Sequence, residues 1–365
     1  MERSTASGFN FANNPAPESM TDSASTHICP FCIGHCDGLV VDATGRISTD
    51  CRSAETTLVN IESSNRTRIG DRHSDEIPWE SIRSRLETQE AVPPIVEFGS
   101  VSIQQAKLVC DWLEQGKLRV ALAEDDSIVA LGRTIARDGG CLVTLADAAR
   151  FSDQMVFIGD VASASGVKRQ LRVDDDQSIE LDTISADQLS RWHAALATGE
   201  FGSDGETLRQ TLTSSYVTWV VLPGAFPVGD ETVASELLVG LCERLQRVTD
   251  DDSRLRRSVL LYFDDHTTLR TVYRWRSNQS LPVARGPGLV RVGCFHPPRD
   301  RVLLQIGGVD PGEDLAECFI PARMLGLETA GTVIRGDGSV TLPLSAVRAS
   351  PHPDAFDALA KLLVR

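Results

Sequence analysis

At 365 residues, with 41% hydrophobic and 24% charged side chains, the chain has the composition of a soluble globular protein and the length for two cores. Asp and Glu outnumber Lys and Arg by 51 to 36, a formal net charge of -15, so a nucleic-acid backbone or an anionic membrane is repelled and neither is expected as a partner. No apolar run approaches the roughly 20 residues that span a bilayer, and nine unevenly spread cysteines exclude a disulfide framework.

Residues 1–26 lack an apolar signal core and carry Glu2, Glu18 and Asp22, which reads as a disordered tail of a cytoplasmic protein. Residues 27–61 read as a small Cys-rich hairpin module, because 37–41 and 46–49 alternate apolar and polar side chains around "DATG". Cys36 and Cys51 lie equally far from the turn centre, so an in-register hairpin places them across from each other, with Cys29 and Cys32 in the loop at the same end. The polar stretch 62–76 reads as a linker to a body over 77–365, expected in two lobes.

In the body, "PPIVEFGS", "LRVALA", "SDQMVFIGD", "YVTWVVLPG", "SVLLYF", "GLVRVG" and "DRVLLQIGG" are strand-like, several ending in Gly. Helical periods fall between them near 103–115, 185–198 with Ser185 as N-cap, and 231–247. This alternation predicts an α/β fold of open parallel sheets with helices on both faces. "TLRTVYRWRSN" sets Arg270, Arg274 and Arg276 beside Tyr273 and Trp275, either a partner-binding spot or a strand with arginines on its wet face. The chain closes with a hairpin turning at "RGDGS" and a helix over 354–363.

Cys29, Cys32, Cys36 and Cys51 are spaced C-x2-C-x3-C-x14-C. Four such thiols suit a zinc site stapling a small hairpin, or a 4Fe-4S cluster held by four thiolates; free thiols are the remaining alternative. His27 and His35 read as polar loop residues. Cys110, Cys141, Cys242, Cys294 and Cys318 sit among apolar neighbours and read as core, while His296 and His352, in proline-rich loops, read as exposed. No G-x-S-x-G or H-E-x-x-H motif is present. Ser163, Ser165 and Gly166 with Lys168 fit no phosphate-loop pattern and read as an ordinary strand-to-helix turn.

Taken in order, "CPFCIGHCDGLVVDATGRI", "IVEFGSVSIQQAKLVCDWLE", "GGCLVTLADAARFSDQMVFIGD", "DRVLLQIGGVDPGEDL" and "AGTVIRGDGSVTLPL" resemble the B subunit of formylmethanofuran dehydrogenase, over most of the chain from about residue 27. The resemblance implies a molybdopterin-oxidoreductase-like fold. In the archaeal enzyme it also implies a molybdenum or tungsten pterin cofactor and an iron-sulfur cluster. The shorter bacterial relative sits in a formyltransferase/hydrolase complex of tetrahydromethanopterin-linked one-carbon oxidation. There the amidohydrolase-type A subunit hydrolyses formylmethanofuran to formate in company with the C and D subunits, and the B subunit is a structural remnant.

Where the resemblance places a cysteine or selenocysteine ligand to the pterin metal, "ALAEDDSIVALGRTIARDGG" holds neither cysteine nor histidine, and Asp125 or Asp126 supplies no soft donor. After "MVFIG", where the resemblance implies a polar residue and a proline that hold the dinucleotide, the chain reads "DVASASGVKRQ", and a phosphate approaching Asp160 meets a like charge. Both features argue against molybdopterin guanine dinucleotide and redox catalysis. Gly307, Gly308, Asp310 and Pro311 retain the form of a pterin-binding turn, as a vestige. The implied protein is therefore a non-catalytic B subunit of the bacterial type. The active dehydrogenase is the alternative, favoured by the intact four-cysteine loop.

Overall fold

The computed structural model describes residues 24–88, 93–122, 125–162, 164–202, 205–246, 257–284 and 289–363. It opens with three short strands, β1 (Ser25–His27), β2 (Leu39–Val41) and β3 (Ile47–Ser48), followed by helix α1 (Arg52–Ser63). A hairpin of β4 (Thr67–Ile69) and β5 (Arg72–Ser74) leads to α2 (Trp79–Glu87). The first parallel unit is β6 (Ile95–Phe98), α3 (Ile103–Glu114) and β7 (Arg119–Leu122). Ser102 and Gln105 form a reciprocal capping box that fixes the start of α3.

The chain then leaves this sheet through α4 (Asp126–Asp138) and α5 (Leu145–Phe151) to build a second one. That sheet uses β8 (Gln154–Ile158), α6 (Ser165–Leu171), β9 (Ser178–Leu181), α7 (Ala186–Thr198) and α8 (Glu206–Thr211). β10 (Tyr216–Val221), α9 (Glu231–Gln246) and β11 (Arg257–Tyr262) complete it, and Ser185 caps α7 at the Gln188 amide as the sequence indicates. The chain returns through α10 (Thr267–Ser277) to β12 (Val290–Val292), β13 (Val302–Ile306) and β14 (Ala316–Ile320). It ends with the hairpin β15 (Gly331–Ile334) and β16 (Thr341–Leu344), then α11 (Ala355–Leu363).

The four-stranded sheet, order β11-β10-β8-β9, is parallel throughout. The seven-stranded sheet, order β5-β4-β14-β13-β12-β6-β7, is parallel from β14 to β7. Its other edge is the antiparallel β4–β5 hairpin. The fold is therefore α/β, with the four-stranded sheet inserted between β7 and β12 of the larger one. In the inserted sheet Val156, Ile158, Trp219 and Val221 face α4, α7 and α9, while Met155, Phe157 and Val220 face α5 and α6, so helices cover both faces.

The larger sheet departs from that expectation. Val96, Phe98, Val290, Val292, Leu304 and Ile306 share one core with α2, α3, α10 and α11. The alternate face carries a buried polar ladder, Glu97–Arg291–Gln305, across β6, β12 and β13. Gln305 is fully buried and its amide nitrogen donates to the Val309 carbonyl at 2.5 Å, anchoring the turn after β13.

Several expectations are corrected. The expected disordered tail falls mostly on residues 1–23, outside the described residues, but Ser25–His27 form a strand on β2, Thr26 opposite Val40. Residues 62–76 are not a simple linker: β4 gains its partner from β14, a pairing remote in sequence. The arginine-rich stretch is helix α10, because Leu269 and Val272 bury one helical face. Arg276 reaches Asp111 at 2.5 Å and Glu114 at 2.6 Å on α3, while Trp275 stands 68% exposed. Cys141 is exposed; Cys110, Cys242, Cys294 and Cys318 are buried. No helix among the described residues is long and apolar enough to cross a membrane.

Candidate metal centre

The register of β2 and β3 pairs Val40 with Ser48 and Val41 with Ile47, one residue off the symmetric hairpin, and Cys51 becomes the residue preceding α1. Its thiol makes no cap bond; it lies 3.1 Å from the Ser165 hydroxyl at the start of α6. Cys29 and Cys36 are tied by the backbone, Cys29 N–H donating to the Cys36 carbonyl at 2.6 Å, and their thiols hydrogen-bond. A Cβ on Gly166 would stand 3.1 Å from the sulfurs of both Cys32 and Cys36, so the loop rests directly on the first turn of α6. All four cysteines thus gather at one spot, and the helix that receives them was not legible as part of the site. Glycine at 166 is the one local signal, since a bulky side chain there would press on both sulfurs.

The surroundings set the chemistry of the thiols. The hydrogen bond from Cys29 lowers the Cys36 pKa to about 7 against its burial, with the Arg169 guanidinium helping. The same hydrogen bond, with burial, drives Cys29 upward. Burial, then the charge of Cys36, pushes Cys32 up to about 11. His35 is not a solvated loop residue: it is buried with φ 44°, its Nδ1 3.3 Å from the Ile33 carbonyl and its Nε2 without a partner among the described residues. Burial lowers its pKa to about 4, opposed by the Ile33 carbonyl and reinforced by Arg335, so it is a neutral imidazole.

Four thiols gathered against one helical turn are the donor set of a four-thiolate cluster, and a hydrogen bond between Cys51 and Ser165 and charge from Arg169 are of the kind that tune one. Among the described residues no three His, Cys, Asp or Glu side chains stand in the geometry of a single bound ion.

The turn after β13 is held from within. Gly307 (φ 68°) and Gly308 (φ 78°) take left-handed backbone; a Cβ on Gly307 would press on the Met324 sulfur at 2.7 Å, and one on Gly308 would overlap the Cys294 carbonyl. Arg68 holds the Asp310 carboxylate with two bonds of 2.6 and 2.8 Å, and the Asp310 N–H donates to the Ser64 hydroxyl at 2.9 Å before Pro311. Internal packing therefore accounts for both glycines and for Asp310. At the end of β7, Asp125 caps α4, its Oδ1 accepting from Ser127 N–H at 3.0 Å and Ile128 N–H at 3.4 Å. Desolvation first, and Asp264 and Asp125 besides, raise the pKa of Asp265, an exposed residue, opposed by His266 and His296. His296 is exposed and His352 half-buried.

No family model and no curated protein matches this sequence. The fold does have a solved counterpart: one chain of the crystal structure of the formyltransferase/hydrolase complex (FhcABCD) from Methylorubrum extorquens in complex with methylofuran. The likeness has a TM-score of 0.56 at 12% identity and covers 81% of this chain and 97% of that one, so the two share a fold.

Proposed function

We propose that this chain is a non-catalytic, dehydrogenase-like B subunit of a bacterial formyltransferase/hydrolase complex. In that role it scaffolds the amidohydrolase-type A subunit with the C and D subunits in one-carbon oxidation linked to tetrahydromethanopterin. Its molybdopterin-oxidoreductase-like architecture is part of the same reading. The observation that carries it is Asp125, which stands in the stretch where the resemblance requires a soft metal ligand and instead caps α4. The likeness to a chain of the formyltransferase/hydrolase complex supports the fold component.

A second reading, the active dehydrogenase with an iron-sulfur cluster and a molybdenum or tungsten pterin, draws on the four cysteines gathered at α6. Both readings allow a cluster on Cys29, Cys32, Cys36 and Cys51, structural in the first and redox-active in the second. Anaerobic co-expression with the three proposed partners, followed by elemental analysis and a visible spectrum, separates them. The scaffold reading expects co-elution with the amidohydrolase-type partner and no molybdenum or tungsten; iron at about four atoms per chain marks a retained cluster. Stoichiometric molybdenum or tungsten overturns it, and zinc or bare thiols would leave the scaffold without a cluster.

A further inference from the structure

The chain carries a net charge of -15, yet Lys168 and Arg169 of α6 and Arg172 just after it line one open surface pocket of about 510 Å³ beside the cysteine loop. Ser165, Val173 and Glu180 complete the part of its lining that bears on binding. Lys168 meets Glu180 at 2.7 Å, whereas neither Arg169 nor Arg172 has a carboxylate at ion-pair distance among the described residues. Arg172 is the left-handed residue that ends α6 (φ 53°), and it lines the pocket together with Arg169, so two like charges share one lining and favour an anion there.

We propose that this cavity binds a small molecule bearing a phosphate or carboxylate group. The Arg169 and Arg172 guanidiniums take the anionic oxygens, since two planar forks match the geometry of either group. Lys168 adds charge at the edge, and the Ser165 hydroxyl offers a hydrogen bond. Glu180 opposes the ligand: it neutralises Lys168 and adds a negative charge to the wall. Ser165 and Arg169 also touch the cysteine loop, through Cys51 and Cys36, whereas Arg172 has no part in that centre, and the inference does not depend on membership of a complex.

The test is calorimetric titration of the full chain with inorganic phosphate, pyrophosphate and citrate at low, fixed ionic strength. One saturable site is expected, and the preference among the three probes identifies phosphate or carboxylate as the recognised group. Arg172→Gln, remote from the cysteine loop, should weaken binding about tenfold, the worth of one charge-assisted hydrogen-bonding group. Arg169→Gln with Arg172→Gln should weaken it further. Glu180→Gln should tighten it, a change of sign that a general effect of added salt does not produce. Both arginines are exposed, so unchanged melting temperatures will show that the variants fold. Absence of saturable uptake of all three probes up to millimolar concentration, or equal affinity in Arg172→Gln and the parent, overturns the proposal.

Discussion

Gly166 and Cys32 meet at the first turn of α6, where a Cβ would stand 3.1 Å from the thiol sulfur. A methyl at that distance asks a flexible thiol to give by a few tenths of an ångström, and alanine also favours a helix over glycine by up to about 1 kcal/mol. Gly166→Ala is therefore expected to be close to neutral. Gly166→Val adds bulk that the two sulfurs cannot both avoid and should cost about 1–3 kcal/mol. Urea denaturation of the two variants checks the contrast, and a loss of bound metal in the valine variant alone would tie the packing to the thiol geometry.

The Glu97–Arg291 pair tests the polar ladder under the strand ends. Their side chains are 15% and 3% exposed, so removing one partner strands a buried charge. Glu97→Gln should destabilise the chain by about 3–5 kcal/mol, whereas replacing both residues with apolar ones of similar size should recover much of the loss. A double-mutant cycle in urea measures both.

Gly308 tests whether the turn after β13 is required by the fold. With φ 78° and the Cys294 carbonyl where a Cβ would go, Gly308→Ala should lose at least about 2 kcal/mol through strain and overlap. A near-neutral result in thermal melting would show that the turn is open, as a ligand cradle would be.

Asp337 and Asp265 give opposite pH signatures. Burial alone would raise Asp337, but Arg335, the Leu145 N–H and Ser339 together hold it below its usual 3.8. Its contribution is present above 3.8 and is lost as pH falls through the lower folded value. Asp337→Asn should flatten the acid limb of the stability curve.

Asp265 is raised above its usual 3.8 by the crowding of surrounding protein, first of all desolvation, although the residue itself keeps an exposed surface. Its favourable contribution is complete below 3.8 and is lost as pH rises through the raised value. Because the residue is exposed, solvent screens this effect, and Asp265→Asn should melt only slightly higher than the parent at pH 7, the difference vanishing below 3.8. Melting curves across the acid range check both residues.

The sequence by itself determined the elements whose signal is local. Apolar β-branched runs mark β8, β10, β11 and β13, because a strand buried on both faces has to be apolar throughout. Ser185 and the "RGDGS" turn mark element ends by their own hydrogen-bonding chemistry. The four cysteines were legible as a set by spacing. Tertiary structure decided what depends on partners far along the chain. β4 is a strand because β14 lies beside it, and α10 is a helix despite its β-forming Val272, Tyr273 and Trp275 because Leu269 and Val272 found a core and Arg276 found α3. The meeting of Cys51 with Ser165 spans 114 residues, a separation that local propensity does not encode. Only packing of the inserted sheet against the cysteine loop creates that contact, and with it the setting of the candidate metal centre.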